Sequence, residues 1–224
     1  MRLDVQGLGK RIGGVDVLRD ITVSISSGSV LGLAGVNGSG KTMLMRVMVG
    51  LVKPTSGTVI IDGLTLGRDL SFPPSAGILI ESPSFLDTRS GLDNLRLVAA
   101  VQEKICIDEV RAAMADVGLD PDDKRRFRKY SLGMKQRLGI AAAVMERPDL
   151  IILDEPTNAL DSEGVRMIHR VVERERQRGA AIVLACHDAT VLRTLSDEIV
   201  YLAEGHLDGR EVREGNMWVT HDGC

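Results

Sequence analysis

An excess of positive charge is missing from this chain: 28 lysines and arginines against 31 aspartates and glutamates leave a formal net charge of −3. The electrostatic footprint of a general nucleic-acid binder is therefore absent. The densest basic run, Lys124, Arg125, Arg126, Arg128 and Lys129, reads as a solvated face. Cysteine is scarce too, and Cys106, Cys186 and Cys224 are odd in number, irregularly spaced and without a Cys-x-x-Cys pair. That excludes a cysteine metal site or redox pair and fits a reducing cytosol. There is no apolar N-terminal stretch of signal-peptide type and no uncharged apolar run of 18 residues. If a membrane is involved, another chain is expected to span it. Low-complexity tracts and internal repeats are also lacking.

What is present suits a globular α/β protein: 44% apolar, 26% charged and 3% aromatic residues. A chain of 224 residues can bury roughly 70% of its unfolded surface, enough for a self-sufficient core. Short apolar runs at 30–34, 58–61, 77–80, 150–153 and 181–185 read as strands, several of them buried on both faces as in a parallel sheet. Helical patterns at 41–49, closed by Gly50, and at 131–146 and 161–177 alternate with them. That order predicts a crossover α/β core. Residues 85–148 contain helical patterns, at 91–101 and 108–117 among others, but no convincing strand, and read as an inserted helical subdomain. Residues 3–6 and 20–26 alternate and read as flanking antiparallel strands, and a further strand at 198–203 leads into a hairpin turn at Glu204-Gly205. The expectation is one domain over 1–209, with 210–224 a short tail.

Gly35-Val36-Asn37-Gly38-Ser39-Gly40-Lys41-Thr42 follows the pattern Gly-x-x-x-x-Gly-Lys-Ser/Thr between a strand and a helix. Glycines let the backbone wrap closely with its N–H groups inward, and the positive end of the following helix favours polyphosphate. Lys41 is then expected at the β/γ-phosphates and Thr42 on Mg²⁺. At 150–153 four apolar residues precede Asp154 and Glu155, which places both carboxylates at the carboxyl end of a strand, where open α/β sheets bind ligands. Asp154 suits the Mg²⁺ shell and Glu155 a water in line with the γ-phosphate. His187 follows the strand at 181–185 at the same sheet edge, where it can hydrogen-bond the γ-phosphate and orient that water. These residues define a P-loop ATPase without saying which.

Tyr130-Ser131-Leu132-Gly133-Met134-Lys135-Gln136-Arg137 resembles the signature motif of ABC transporter ATP-binding subunits. Its Leu-Gly-Met variant resembles that of the bacitracin- and lantibiotic-type export ATPases. The resemblance covers residues 3 to about 209. It implies an α/β P-loop NTPase core with a mostly parallel sheet, an antiparallel β subdomain and the inserted helical subdomain. It also implies ATP hydrolysis with Mg²⁺, a homodimer or pseudo-homodimer closed around ATP, and a transmembrane permease subunit on a separate chain. No nucleic acid is expected, and the implied location is the cytoplasmic face of a bacterial plasma membrane.

By the same resemblance Ser131 and Gly133 bind the γ-phosphate held by the opposing copy, and Ser131 is in any case a good helix N-cap. Asn158-Ala159-Leu160-Asp161 contacts the second domain, and residues 82–94 grip the permease. Glu81 stands where the family carries a glutamine and is expected as a third Mg²⁺ residue beside Thr42 and Asp154, keeping an acceptor, losing the amide donor and adding a charge beside the triphosphate, and Ile12 stands where the family stacks an aromatic on adenine. The alternative is a non-transport ABC ATPase acting on ribosomes or nucleic acid. Those relatives carry paired ATPase domains, a coiled-coil insertion or zinc-binding cysteines, none of which the sequence shows. A catalytically silent subunit is disfavoured by the presence of Lys41, Asp154, Glu155 and His187 together.

Overall fold

Strands that are apolar at nearly every position have to be covered on both faces, and three of them set the centre of this molecule. In a computed structural model describing residues 1–215 and 217–221, the chain opens with β1 (Arg2–Ile12), β2 (Val15–Ser26) and β3 (Val30–Ala34), followed by α1 (Lys41–Met48). Next come β4 (Ser56–Ile61), β5 (Leu64–Thr65) and β6 (Ala76–Leu79). The helices α2 (Gly91–Gln102) and α3 (Ile107–Asp116), a 3₁₀ turn at Phe127–Lys129 and α4 (Leu132–Val144) follow. The core then resumes with β7 (Leu150–Asp154), α5 (Ser162–Gln177), β8 (Ala181–Ala185), α6 (Ala189–Leu195) and β9 (Glu198–Ala203), and ends with β10 (His206–Glu214) and β11 (Met217–His221).

Among the described residues the strands form two sheets. The larger runs β11-β10-β9-β3-β8-β7-β6, parallel from β9 to β6 and antiparallel at the β9-β10-β11 end. The smaller is antiparallel, in the order β2-β1-β4-β5. In β3, β7 and β8 every residue is buried. Side chains alternate between two cores, as the pleat requires. Leu31, Leu33, Leu150, Ile152 and Val183 face α1 and the smaller sheet, whereas Ile151, Leu153, Ile182 and Leu184 face α4, α5 and the helical subdomain. The sheet is thus covered as a parallel sheet must be.

Several sequence expectations are refined. The run at 58–61 belongs to β4, which pairs with β1 in the antiparallel sheet rather than with the parallel core; its first three residues are exposed. The first two strands are longer than read, because β1 and β2 bend through register shifts that break the alternation. The short α6 was not expected. Asp188 caps it by accepting from the Thr190 and Val191 amides, a local signal that two neighbouring β-branched residues obscure. Within the expected tail, 210–214 and 217–221 are paired strands that extend the large sheet. Their periodicity is hidden because charged side chains cover them, Arg210 on Glu198 and Glu211 on Arg193. Cys224 lies outside the described residues.

The turn between β9 and β10 does more than reverse the chain. Gly205, at φ 82°, accepts from the Arg19 amide at 2.7 Å and donates to the Ser39 carbonyl at 3.1 Å. It therefore ties β2 and the glycine-rich loop to the far end of the sheet.

Candidate functional site

The glycine-rich loop leaves β3 and enters α1 directly, so its N–H groups gather at the amino end of a helix on the sheet's carboxyl edge. Gly35 is required there by both conformation and space. Its φ is 146°, and a Cβ would lie 2.3 Å from the Leu202 carbonyl oxygen. Lys41 is buried and its Nζ donates to the carbonyls of Gly35 at 2.7 Å and Val36 at 3.1 Å. The ammonium is thus held over the loop it belongs to. The Ser39 hydroxyl is buried there without a hydrogen-bond partner, leaving a polar group that an anion in the loop can satisfy.

Thr42, the second residue of α1, donates from Oγ1 to Asp154 Oδ2 at 2.7 Å and so joins the helix start to the end of β7. Asp154 is 5% exposed, and burial pushes its carboxyl above the ordinary value of 3.8. The Thr42 hydrogen bond opposes that shift, and the neighbouring Glu155 adds to it. A hydroxyl and a buried carboxylate in contact fit Mg²⁺ carried in by a polyphosphate, which retains phosphate and water ligands.

Glu155 follows with φ 49°, a left-handed backbone at a residue bearing a side chain. Its amide donates to the Ala185 carbonyl at 2.9 Å, and its own carbonyl accepts from Gln136 Nε2 of α4 at 3.0 Å. Its Oε2 lies 2.7 Å from His187 Nδ1 and 3.3 Å from the His187 amide. Two adjacent parallel strands therefore deliver a carboxylate and an imidazole to one point, the geometry a general base and its positioning partner require.

Lys41, Thr42, Asp154 and Glu155 line a cleft of ≈ 490 Å³ together with Asn37, Gly38, Gly40 and Glu81; His187 is not part of that lining and meets it through Glu155. Ile12 is not brought to it: the residue is 48% exposed and pairs with Val15 at the tip of the β1–β2 hairpin. Val17, on the returning strand, lines the cleft in its place. Glu81 does reach the cleft, but its Oε1 is engaged by Arg46 Nη2 at 2.7 Å. Arg46 and Gln136 are cleft residues that the motifs alone did not single out. The available signal for Arg46 was its place four residues after Thr42, on the same helical face.

Ser131 and Gly133 lie elsewhere on this chain. With Met134, Arg137, Ala159 and Asp161 they border a separate open depression. The Ser131 hydroxyl accepts from the Met134 amide at 3.2 Å and caps α4. The basic run at 124–129 is exposed apart from the buried Phe127, with Arg125 paired to Asp123 at 2.7 Å, as a solvated face would be.

A glycine-wrapped lysine at a helix start, a Thr–Asp contact and a Glu–His pair on one sheet edge define a P-loop nucleoside triphosphatase. Comparisons with known proteins place it further. The family model described as ABC transporter matches residues 18–158. The chain is 38% identical over 209 residues to the uncharacterized ABC transporter ATP-binding protein YybJ of Bacillus subtilis (strain 168), covering 93% of this chain and 96% of that protein. It is 36% identical over 221 residues to the bacitracin transport ATP-binding protein BcrA of Enterococcus faecalis, covering 98% of this chain and 70% of that one. Its fold is similar to that of the ATP-binding cassette MJ0796, solved as a dimer in a post-hydrolysis state with ADP and Pi. There the TM-score is 0.86 at 22% identity, with 95% of this chain and 99% of that one covered. The chain belongs to the ABC transporter family, as an ATP-binding subunit and ATPase.

Proposed function

We propose that the chain hydrolyses MgATP to drive a membrane-embedded permease carried on a separate chain, in a transporter of the export type. The bacitracin transport relative supports the class of cargo system, and among the described residues no helix is long and apolar enough to cross a membrane. The chain would then sit on the cytoplasmic face of the membrane, with residues 82–94 gripping the permease.

Lys41 neutralises the β/γ-phosphates, and Ser39 and the loop amides hold them. Thr42 and Asp154 would hold the metal, which when bound would offset charge on the phosphates. Glu155 takes the proton of the attacking water while His187 fixes the orientation of that carboxylate. The observation that carries the reading is the division of labour between two surfaces. The cleft has a loop, metal residues and a base, while Ser131 and Gly133, a helix start suited to a γ-phosphate, border a different depression. A second copy, arranged as in the dimeric MJ0796 cassette, brings the two surfaces together around each ATP.

Glu155→Gln keeps the site's shape but removes the base, so the variant should sediment as a dimer in MgATP and as a monomer without nucleotide. Lys41→Ala should bind ATP too weakly to dimerise. A Glu155→Gln protein that stays monomeric at high concentration in saturating MgATP would count against the two-copy site.

A further inference from the structure

Of the three carboxylates lining the cleft, Asp154 and Glu155 come from the end of β7, and Glu81 comes from the segment after β6. Glu81 has φ 61°, a left-handed backbone that a residue with a side chain holds only where its surroundings fix it. The side chain so projected meets Arg46 of α1, with Oε1 2.7 Å from Nη2. Arg46 lies one helical turn beyond Thr42 and lines the same cleft. Lys41, the other cation there, already faces the Gly35 and Val36 carbonyls.

We propose that Arg46 is a positioning residue for the ATPase reaction: it holds the Glu81 carboxylate against α1, so that an incoming triphosphate meets a neutral pair rather than a bare negative charge. This rests on the nucleotide reading above. Without Arg46, the Glu81 carboxylate would add like charge to a cleft that already contains Asp154 and Glu155 and has to admit a polyanion. The pair also links the helix that opens at the glycine-rich loop to the segment leading into the helical subdomain. Glu81 is 63% exposed, so solvent screens the effect to about fivefold in affinity, the upper range for exposed pairs.

The test is ATP binding by the purified full chain, in EDTA and in Mg²⁺, measured by displacement of a fluorescent nucleotide. The unaltered protein is compared with Arg46→Gln, Arg46→Lys, Glu81→Gln and the double variant Arg46→Gln/Glu81→Gln. Arg46→Gln should weaken binding in EDTA about fivefold at low salt and far less at high salt, while Arg46→Lys should bind as the unaltered chain does. The double variant should recover to within about twofold, because the charge left unpaired has gone. Unchanged affinity in Arg46→Gln overturns the proposal. So does a double variant no better than Arg46→Gln, which would make Arg46 a prop for α1. Failure of the unaltered chain to bind ATP overturns the nucleotide reading itself and this one with it.

Discussion

At the scale of single residues, the site contains groups held in states that the fold alone would not choose. Asp154 is buried with its carboxyl shifted upward by that burial. For a carboxyl whose folded value is raised, the native state binds the proton more readily than the unfolded chain does. Stability therefore falls as pH rises from the ordinary value of 3.8 through the folded one, and the penalty is complete above it. Asp154→Asn removes the charge and keeps an acceptor for Thr42. Its melting temperature without nucleotide should exceed that of the parent at about pH 7.5, and the gain should shrink as the pH approaches 4. ATPase activity should be lost throughout. A variant that melts lower than the parent at neutral pH would show that burial is not what raises the carboxyl. Trading stability for a poised group in this way is a common property of active sites.

Elements divide into those that announce themselves locally and those fixed by what they pack against. The glycine-rich loop, the buried strands β3, β7 and β8, and helices α1, α4 and α5 were legible because composition and caps agree: Ser131 and Asp161 cap their helices through side-chain oxygens. The site motifs were legible for the same reason, since Lys41, Thr42, Asp154, Glu155 and His187 each stand at a strand or helix end. Missing from that reading were Arg46 and Val17, which matter only once α1 and the β1–β2 hairpin are folded against the loop. The C-terminal strands also escaped it, because ion pairs rather than apolar alternation cover them. Ser131 lets a cap and a ligand contact be separated. Ser131→Ala should cost about 1 kcal/mol in chemical denaturation, whereas Ser131→Asp, itself a good cap, should cost little. Neither should dimerise with ATP in the Glu155→Gln background, since alanine lacks the hydroxyl and aspartate opposes a γ-phosphate. ATP-driven dimerisation surviving in Ser131→Asp would confine the residue to capping.

Across the whole molecule, two cores lie on opposite faces of one sheet and meet only through its strands. The helical subdomain, with Ser131 at the start of α4, packs on one face, while α1 and the antiparallel sheet pack on the other. At the cleft, Gln136 ties α4 to the Glu155 carbonyl just after β7, and the Arg46–Glu81 pair ties α1 to the segment that follows β6. The β9–β10 turn closes a longer circuit, since Gly205 hydrogen-bonds both Arg19 and Ser39, and a Cβ on it would stand 2.4 Å from the Val17 carbonyl oxygen. Gly205→Ala should therefore weaken ATP affinity in equilibrium titration more than an alanine within β10 does; equal effects would show the turn to be a passive reversal. The β9–β10 hairpin thus serves as a strut for a loop made from the first fifth of the chain. Damage to it would look, in any assay, like a fault in phosphate handling, although none of its own side chains approaches the nucleotide cleft.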